Sequence, residues 1–247
     1  MASSGFCILN IVAVAAAYAR YKYGNLVQTM PSLYAPSNKP SNTTNINTAT
    51  GTKYPKIAIV DIDIHHGNGT EEIVRNLAPR EVFLPLPSSW APVSRRKYKP
   101  WWNDSDQNDV FFSSIQLFDG DNFYPCSGDD LISSSSQSFH SSSSPRANNN
   151  TSSSPGANNN NIYGPNIVNI GLTNIPANFQ KRTLSEKKKK EMIFAASREF
   201  REKISAMLLP RLDAFAPDLV FISAGFDGHY DDNYHFLTEE DYYWVTR

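Results

Sequence analysis

The segment Asp61-Ile62-Asp63-Ile64-His65 places two carboxylates and an imidazole at alternate positions, directly after the apolar run Ile57-Ala58-Ile59-Val60. Side chains of an extended strand alternate between faces, so Asp61, Asp63 and His65 can share one side as the strand runs out into its loop. Two carboxylates converging at a strand end repel each other unless a cation lies between them. With an imidazole beside them they make an oxygen/nitrogen donor set suited to Zn²⁺ or another first-row metal; the plain alternative is a strand-end loop that happens to hold acids and a histidine. Gly67 and Gly69 let the following loop turn tightly. A second polar position follows another apolar run, where Leu219-Val220-Phe221-Ile222 leads into Ser223-Ala224-Gly225-Phe226-Asp227. A lone Asp there often caps a helix. Joined to Asp63 and His65, it gives two carboxylates, one imidazole and an open position, which marks a catalytic rather than a structural metal site.

The elements that must position these groups are legible in outline. Asn10 is placed to cap a helix running to about Lys22, with Gly24 past its end. Short apolar runs at 57–60, 110–115, 167–170 and 219–222 suit strands buried on both faces of a parallel sheet, and Val82-Phe83-Leu84 is strand-like. Glu71–Leu77 reads as a short helix. Thr183-Leu184-Ser185-Glu186 has capping-box spacing and predicts a long helix to about Leu209, stopped by Pro210. Ile193, Ala196, Phe200, Ile204 and Leu208 would form its buried stripe, and Lys187–Lys190 its solvated first turn. Strands alternating with helices imply an α/β domain, a largely parallel sheet flanked by helices, with its chemistry at the carboxyl ends of the strands. Residues 30–52 and 86–109 read as loop insertions. Residues 132–161 hold a Ser/Asn-rich near-repeat that cannot bury enough apolar area to offset its chain entropy, and are expected to be a disordered insertion.

Composition narrows the class. The 247 residues suit one domain, and 40% hydrophobic residues can build a sizeable core. A net charge of −1, from 23 basic and 24 acidic residues, argues against direct binding of nucleic acid through phosphate charge. Two cysteines, Cys7 and Cys126, exclude a disulfide-stapled scaffold and a four-cysteine zinc module. No apolar stretch is long enough to span a membrane. The apolar segment Phe6–Ala19 lacks the preceding positive charge of a secretory signal, so nucleus or cytoplasm is the expected compartment.

Four segments together resemble the zinc-dependent histone deacetylases of the class II type, with the arginase/deacetylase fold. They are Gly5–Ala13, Val60–Thr70, Asp119–Pro125 and Ser223–His229. The resemblance implies Zn²⁺ held by Asp63, His65 and Asp227, with Asp61 behind them orienting a catalytic histidine. It implies a structural K⁺ ion bound by oxygens of Asp61, Asp63, His65, Ser114 and Ile115. Gly5, Phe6 and Tyr124 would line a narrow channel for the acetyl-lysine stem. The implied reaction is hydrolysis of an acetyl-lysine amide by metal-activated water, with a histidine taking the proton and a tyrosine stabilising the oxyanion. The implied partners are acetylated histones or other acetyl-lysine proteins, with a corepressor complex possible.

The sequence also departs from that pattern. The family's tandem histidines, upstream of Gly-Phe-Cys, and its Gly-Gly-Tyr tyrosine, downstream of the last ligand, have no match in residues 1–247. The domain is therefore expected to be incomplete at both ends and a poor catalyst by itself, unless His229 or His235 serves as the base. His66 should point away from the ligands. Ile62, Gln116 and Cys126 stand where the family often has Trp, His and Gly, and Tyr230–Phe236 replaces a shorter loop. The alternatives are a catalytically inactive acyl-lysine-binding or scaffold protein, and a polyamine or small-molecule deacetylase. An arginase-like binuclear hydrolase would need further ligands that Asn68 and Phe226 do not supply.

Overall fold

The computed structural model describes residues 8–24, 54–84, 93–119, 123–128, 166–173, 185–232 and 234–247. Gly5, Phe6 and the insertions at 30–52 and 132–161 lie outside them.

The four apolar runs form one fully parallel sheet: β1 (Ile57–Asp61), β4 (Val110–Phe118), β5 (Ile167–Thr173) and β6 (Leu219–Ser223), in the order β5-β4-β1-β6. The two-residue alternation of β1 divides its side chains between two cores. Ile57 and Ile59 pack with Ala16, Ala19, Val74, Val110 and Phe112 on one face. Ala58 and Val60 pack with Phe111, Ile115, Phe200, Ile204 and Leu208 on the other. The first face is covered by α1 (Ile11–Tyr23) and α2 (Asn68–Arg75), and the second by α4 (Glu186–Lys203), which runs through a π-helical turn at Ile204–Leu208 into α5 (Leu209–Phe215). The last helix is α6 (Glu239–Val245). Among the described residues no helix is long and apolar enough to cross a membrane.

Asn10 caps α1 as its position suggests, its side chain accepting from the Ala13 amide at 2.9 Å. The long helix differs from expectation at both ends. Ser185, not Thr183, caps it, accepting from the Lys188 amide. Pro210 does not stop it. The proline sits in the first turn of α5, where its missing N–H is no loss, and the π turn absorbs the irregularity. Ala196, Phe200, Ile204 and Leu208 are buried as the stripe predicts.

Two further expectations need correction. The 86–109 stretch is not wholly loop, because it holds β3 (Val93–Lys97), which pairs antiparallel with β2 (Arg80–Leu84), and a helical turn α3 (Asp106–Asp109). The exposed β3 sequence Val-Ser-Arg-Arg-Lys carries no apolar alternation to reveal it; the ladder to β2 makes the strand, not burial. Leu219, Val220 and Ile222 of β6 are 36–45% exposed rather than buried, because β6 is the sheet edge among the described residues.

Arg20 is fully buried. Its guanidinium meets Asp106 at 2.9 Å, Asp109 at 3.2 Å and the Pro55 carbonyl at 2.6 Å, tying α1 to the start of β4. The other oxygen of Asp106 accepts backbone amides of Trp101, Trp102 and Asn103.

Candidate metal centre

Parallel pairing aligns the carboxyl ends of the central strands. Asp61 stands in register with Ser114 of β4 and with Ser223 of β6. Beyond that point β1 and β6 turn out of the sheet side by side, so the chain after Asp61 meets the chain after Ser223. The Ile62 amide donates to the Ser223 carbonyl at 2.9 Å, and the Ile64 amide reaches Asp227 Oδ1 at 3.5 Å.

This seam gathers Asp63, His65 and Asp227. One ligand-type atom from each lies within 4.8 Å of the others. His65 Nδ1 is 3.1 Å from Asp63 Oδ1 and 2.7 Å from Asp227 Oδ2. Asp63 Oδ1 also accepts the His65 amide at 2.7 Å, which turns the side chain back along its own loop. Gly225 makes the approach possible, since a Cβ there would fall on the Asp63 carboxylate. Gly67 plays the same part for Asp61, whose carboxylate occupies the space a Cβ at 67 would take. Gly69 is not a turn residue; it lies inside α2, with room around it.

The electrostatics are those of a site short of positive charge. Hydrogen bonds to Asp227 and then Asp63 hold the His65 imidazole up at about 10, against the opposing effect of burial. Burial would raise Asp227, but the His65 hydrogen bond and charge bring it below the usual carboxylate range. Asp61 is pushed up to about 7, chiefly by burial, with the charges of Asp63 and Asp227 adding to it and hydrogen bonds from the Asp63 amide and Ser223 opposing it. A proton held this firmly between two carboxylates marks an electrostatic well that a divalent cation can also occupy. Tetrahedral ligands at 2.0–2.2 Å from one ion stand about 3.4 Å apart, so His65 Nδ1, now 3.1 Å from Asp63 Oδ1 and 2.7 Å from Asp227 Oδ2, needs to part from the carboxylates by less than about 1 Å. The donor set therefore fits a metal ion.

Asp63, His65 and Asp227 are thus brought together as their types and spacing suggested. Ser114 Oγ accepts the Gly67 amide at 3.2 Å, and Ile115 is buried beside it, so both residues border Asp61 at the strand ends. Tyr124 stands edge-on to His65, with ring centroids 5.8 Å apart. His66 points away as expected and is buried, bonded to Glu71 Oε2 at 2.6 Å and Ser127 Oγ at 2.8 Å. His229 faces Glu239 of α6 at 3.5 Å, and His235 Nδ1 meets the Tyr230 carbonyl at 2.5 Å.

Two site residues were missed by sequence reasoning. Phe123 stacks on the His65 ring at 5.2 Å with 14° between planes. Tyr234 places its hydroxyl 2.9 Å from His65 Nε2 and its ring 5.5 Å from Phe123. Phe123 lies within the Asp119–Pro125 segment, next to Tyr124. Tyr234 lay in the departing 230–236 loop, where no periodicity indicates which side chain turns inward. Cys126, exposed and free, adopts φ 60°, a left-handed conformation that favours glycine.

Residues 43–247 match the family model described as histone deacetylase domain. Type-2 histone deacetylase 2 of Dictyostelium discoideum is 28% identical over 250 residues, covering 99% of this chain and 9% of that protein. Histone deacetylase 6 of Caenorhabditis elegans is 24% identical over 230 residues, covering 93% of this chain and 14% of that protein. The chain thus spans about a tenth of the length of these relatives. Among solved structures, the HDA15 HD domain superposes with a TM-score of 0.48 at 20% identity, over 99% of this chain and 41% of that one. With the domain match running through β1, β6 and all three candidate ligands, the chain belongs to the histone deacetylase family.

Proposed function

We propose that this chain carries the metal- and acyl-lysine-binding part of a zinc-dependent protein lysine deacetylase, with acetylated histones or other acetyl-lysine proteins as substrates. The observation that supports it is the convergence of Asp63, His65 and Asp227 within 4.8 Å at the ends of two adjacent parallel strands. Those three residues would hold the ion. A zinc ion there supplies Lewis acidity to an amide carbonyl and to water. Two anionic ligands and one neutral imidazole leave a fourth position for substrate, and all three side chains are partly exposed, so the position is open to solvent.

The surrounding residues have separable tasks. Phe123 and Tyr124 flank His65 with apolar surface suited to the methylene stem of a lysine whose charge acetylation has removed. Asp61 lies behind the ligands and holds the loop by accepting the Asp63 amide at 3.1 Å. With Asp63, His65, Ser114 and Ile115 it would supply oxygens to a K⁺ ion that offsets its buried charge.

Calorimetric titration of the purified chain with Zn²⁺ tests the reading, followed by fluorescence anisotropy with an acetyl-lysine histone peptide and with its unacetylated form. One ion per chain, binding abolished in Asp227→Asn, and preference for the acetylated peptide are the expected results. No zinc uptake, or equal affinity for both peptides, would defeat it. N-acetylspermidine as competitor separates a protein substrate from a polyamine.

A further inference from the structure

His65 has two ring nitrogens, and only Nδ1 faces the carboxylates. The other must carry the proton if Nδ1 is to present a lone pair to a cation. That requires an acceptor at Nε2, and the acceptor present is the Tyr234 hydroxyl at 2.9 Å. The Tyr234 ring also stands edge-on to His65, with centroids 5.0 Å apart and planes at 80°, while Phe123 covers the face of the imidazole. The histidine is thus flanked by two rings, with one hydroxyl facing Nε2.

The loop that delivers Tyr234 is built tightly. The residue after it, His235, takes φ 51°, a conformation that side chains other than glycine rarely adopt. Its ring nitrogen contacts the Tyr230 carbonyl at 2.5 Å, closing the loop on itself. Phe236 and Leu237 then descend fully into the core, and their amides donate to the Gly228 carbonyl at 3.0 and 2.8 Å. The Tyr230 amide donates to the Leu237 carbonyl at 2.7 Å. The chain leaves Asp227, makes this short closed excursion and returns, with Tyr234 directed back over His65.

We propose that Tyr234 is a positioning residue for metal binding: its hydroxyl accepts Nε2–H of His65, fixing the tautomer that turns Nδ1 toward Asp63 and Asp227. This deepens the metal reading of the site and rests on it. Hydrogen-bond partners of ligating histidines are typically worth about 10–100-fold in metal affinity.

Tyr234→Phe keeps the ring and removes only the oxygen. Titration of the full chain with Zn²⁺ should show affinity about tenfold or more below wild type, with the metal-free unfolding midpoint unchanged. In ¹⁵N-histidine spectra of the zinc-loaded wild type, the His65 Nε2 proton should exchange slowly, and in Tyr234→Phe rapidly. A Phe variant within about threefold of wild type, or equal proton exchange in both, overturns the proposal while leaving the metal site standing. A wild-type chain that takes up no Zn²⁺ overturns the metal reading and this one with it.

Discussion

His65 Nδ1 lies 2.7 Å from Asp227 Oδ2, a contact made between residues that follow two different strands and meet only because β1 and β6 pair in parallel. In the metal-free protein that contact is a proton-mediated ion pair, since His65 is held at about 10 by Asp227 and Asp63. The sign for metal binding follows. His65 is protonated at any pH below about 10, and a cation at Nδ1 must displace that proton. Affinity for Zn²⁺ should therefore rise with pH through the neutral range, by about tenfold per unit. Calorimetry at pH 7 in buffers of different ionisation enthalpy should show about one proton released per ion. A buffer-independent binding enthalpy would show that His65 is not the displaced acid.

A second pH effect belongs to Glu71. Burial would raise its carboxyl, but the hydrogen bond and charge of His66, the charge of Arg75 and the Asn169 amide together bring it down to about 2. A carboxylate lowered in the folded state contributes stability that is complete above its unfolded value of 4.5 and is lost as pH falls through about 2. The contribution is about 3 kcal/mol at neutral pH, from the conversion of a pKa difference to free energy. Denaturant unfolding of wild type and Glu71→Gln between pH 6 and 2 should show the gap between them closing as the medium acidifies. A constant gap would mean that Glu71 acts only through packing.

Arg20 supports the largest expected loss from a single change away from the site. Its partners Asp106 and Asp109 are both buried, and removing one member of such a cluster leaves uncompensated charge. Arg20→Met should cost about 3–5 kcal/mol in denaturant unfolding. Combining it with Asp106→Asn and Asp109→Asn should recover part of that, because the orphaned charges go with it. A triple variant no better than the single would locate the loss in packing of the arginine stem.

What the sequence disclosed, and what it withheld, divide along physical lines. Ile57–Val60 and Asp61-x-Asp63-x-His65 were readable because strand alternation is strictly periodic and the donor types are rare in combination. Asp227 could be joined to them because it too follows an apolar run. The buried state of Arg20 was not readable, since its partners Asp106 and Asp109 come from distant sequence and nothing within α1 itself pairs with the guanidinium. The continuation of the helix past Pro210 was hidden because a proline that ends one helix and a proline that begins the next look the same in sequence. Tyr234 was hidden because its direction is set by a closed loop and a left-handed residue rather than by a periodic element.

Two glycines that look alike in sequence should behave oppositely. At Gly225 a methyl group would overlap the Asp63 carboxylate, and Asp63 cannot retreat without leaving His65, whose amide it accepts at 2.7 Å. Gly225→Ala should therefore weaken Zn²⁺ binding by at least the ~10–100-fold typical of a displaced support around a metal ligand. At Gly69, inside α2, the nearest atom to an added Cβ is Asn10 Nδ2 at 3.9 Å, an ordinary contact. Gly69→Ala should stabilise the chain by about 0.5–1 kcal/mol through helix propensity and leave zinc affinity unchanged. Thermal unfolding and zinc titration of both variants check the pair. If Gly225→Ala bound zinc as wild type does, the Asp63 carboxylate would have to sit elsewhere in the loaded protein, and the three-ligand centre would lose one of its members.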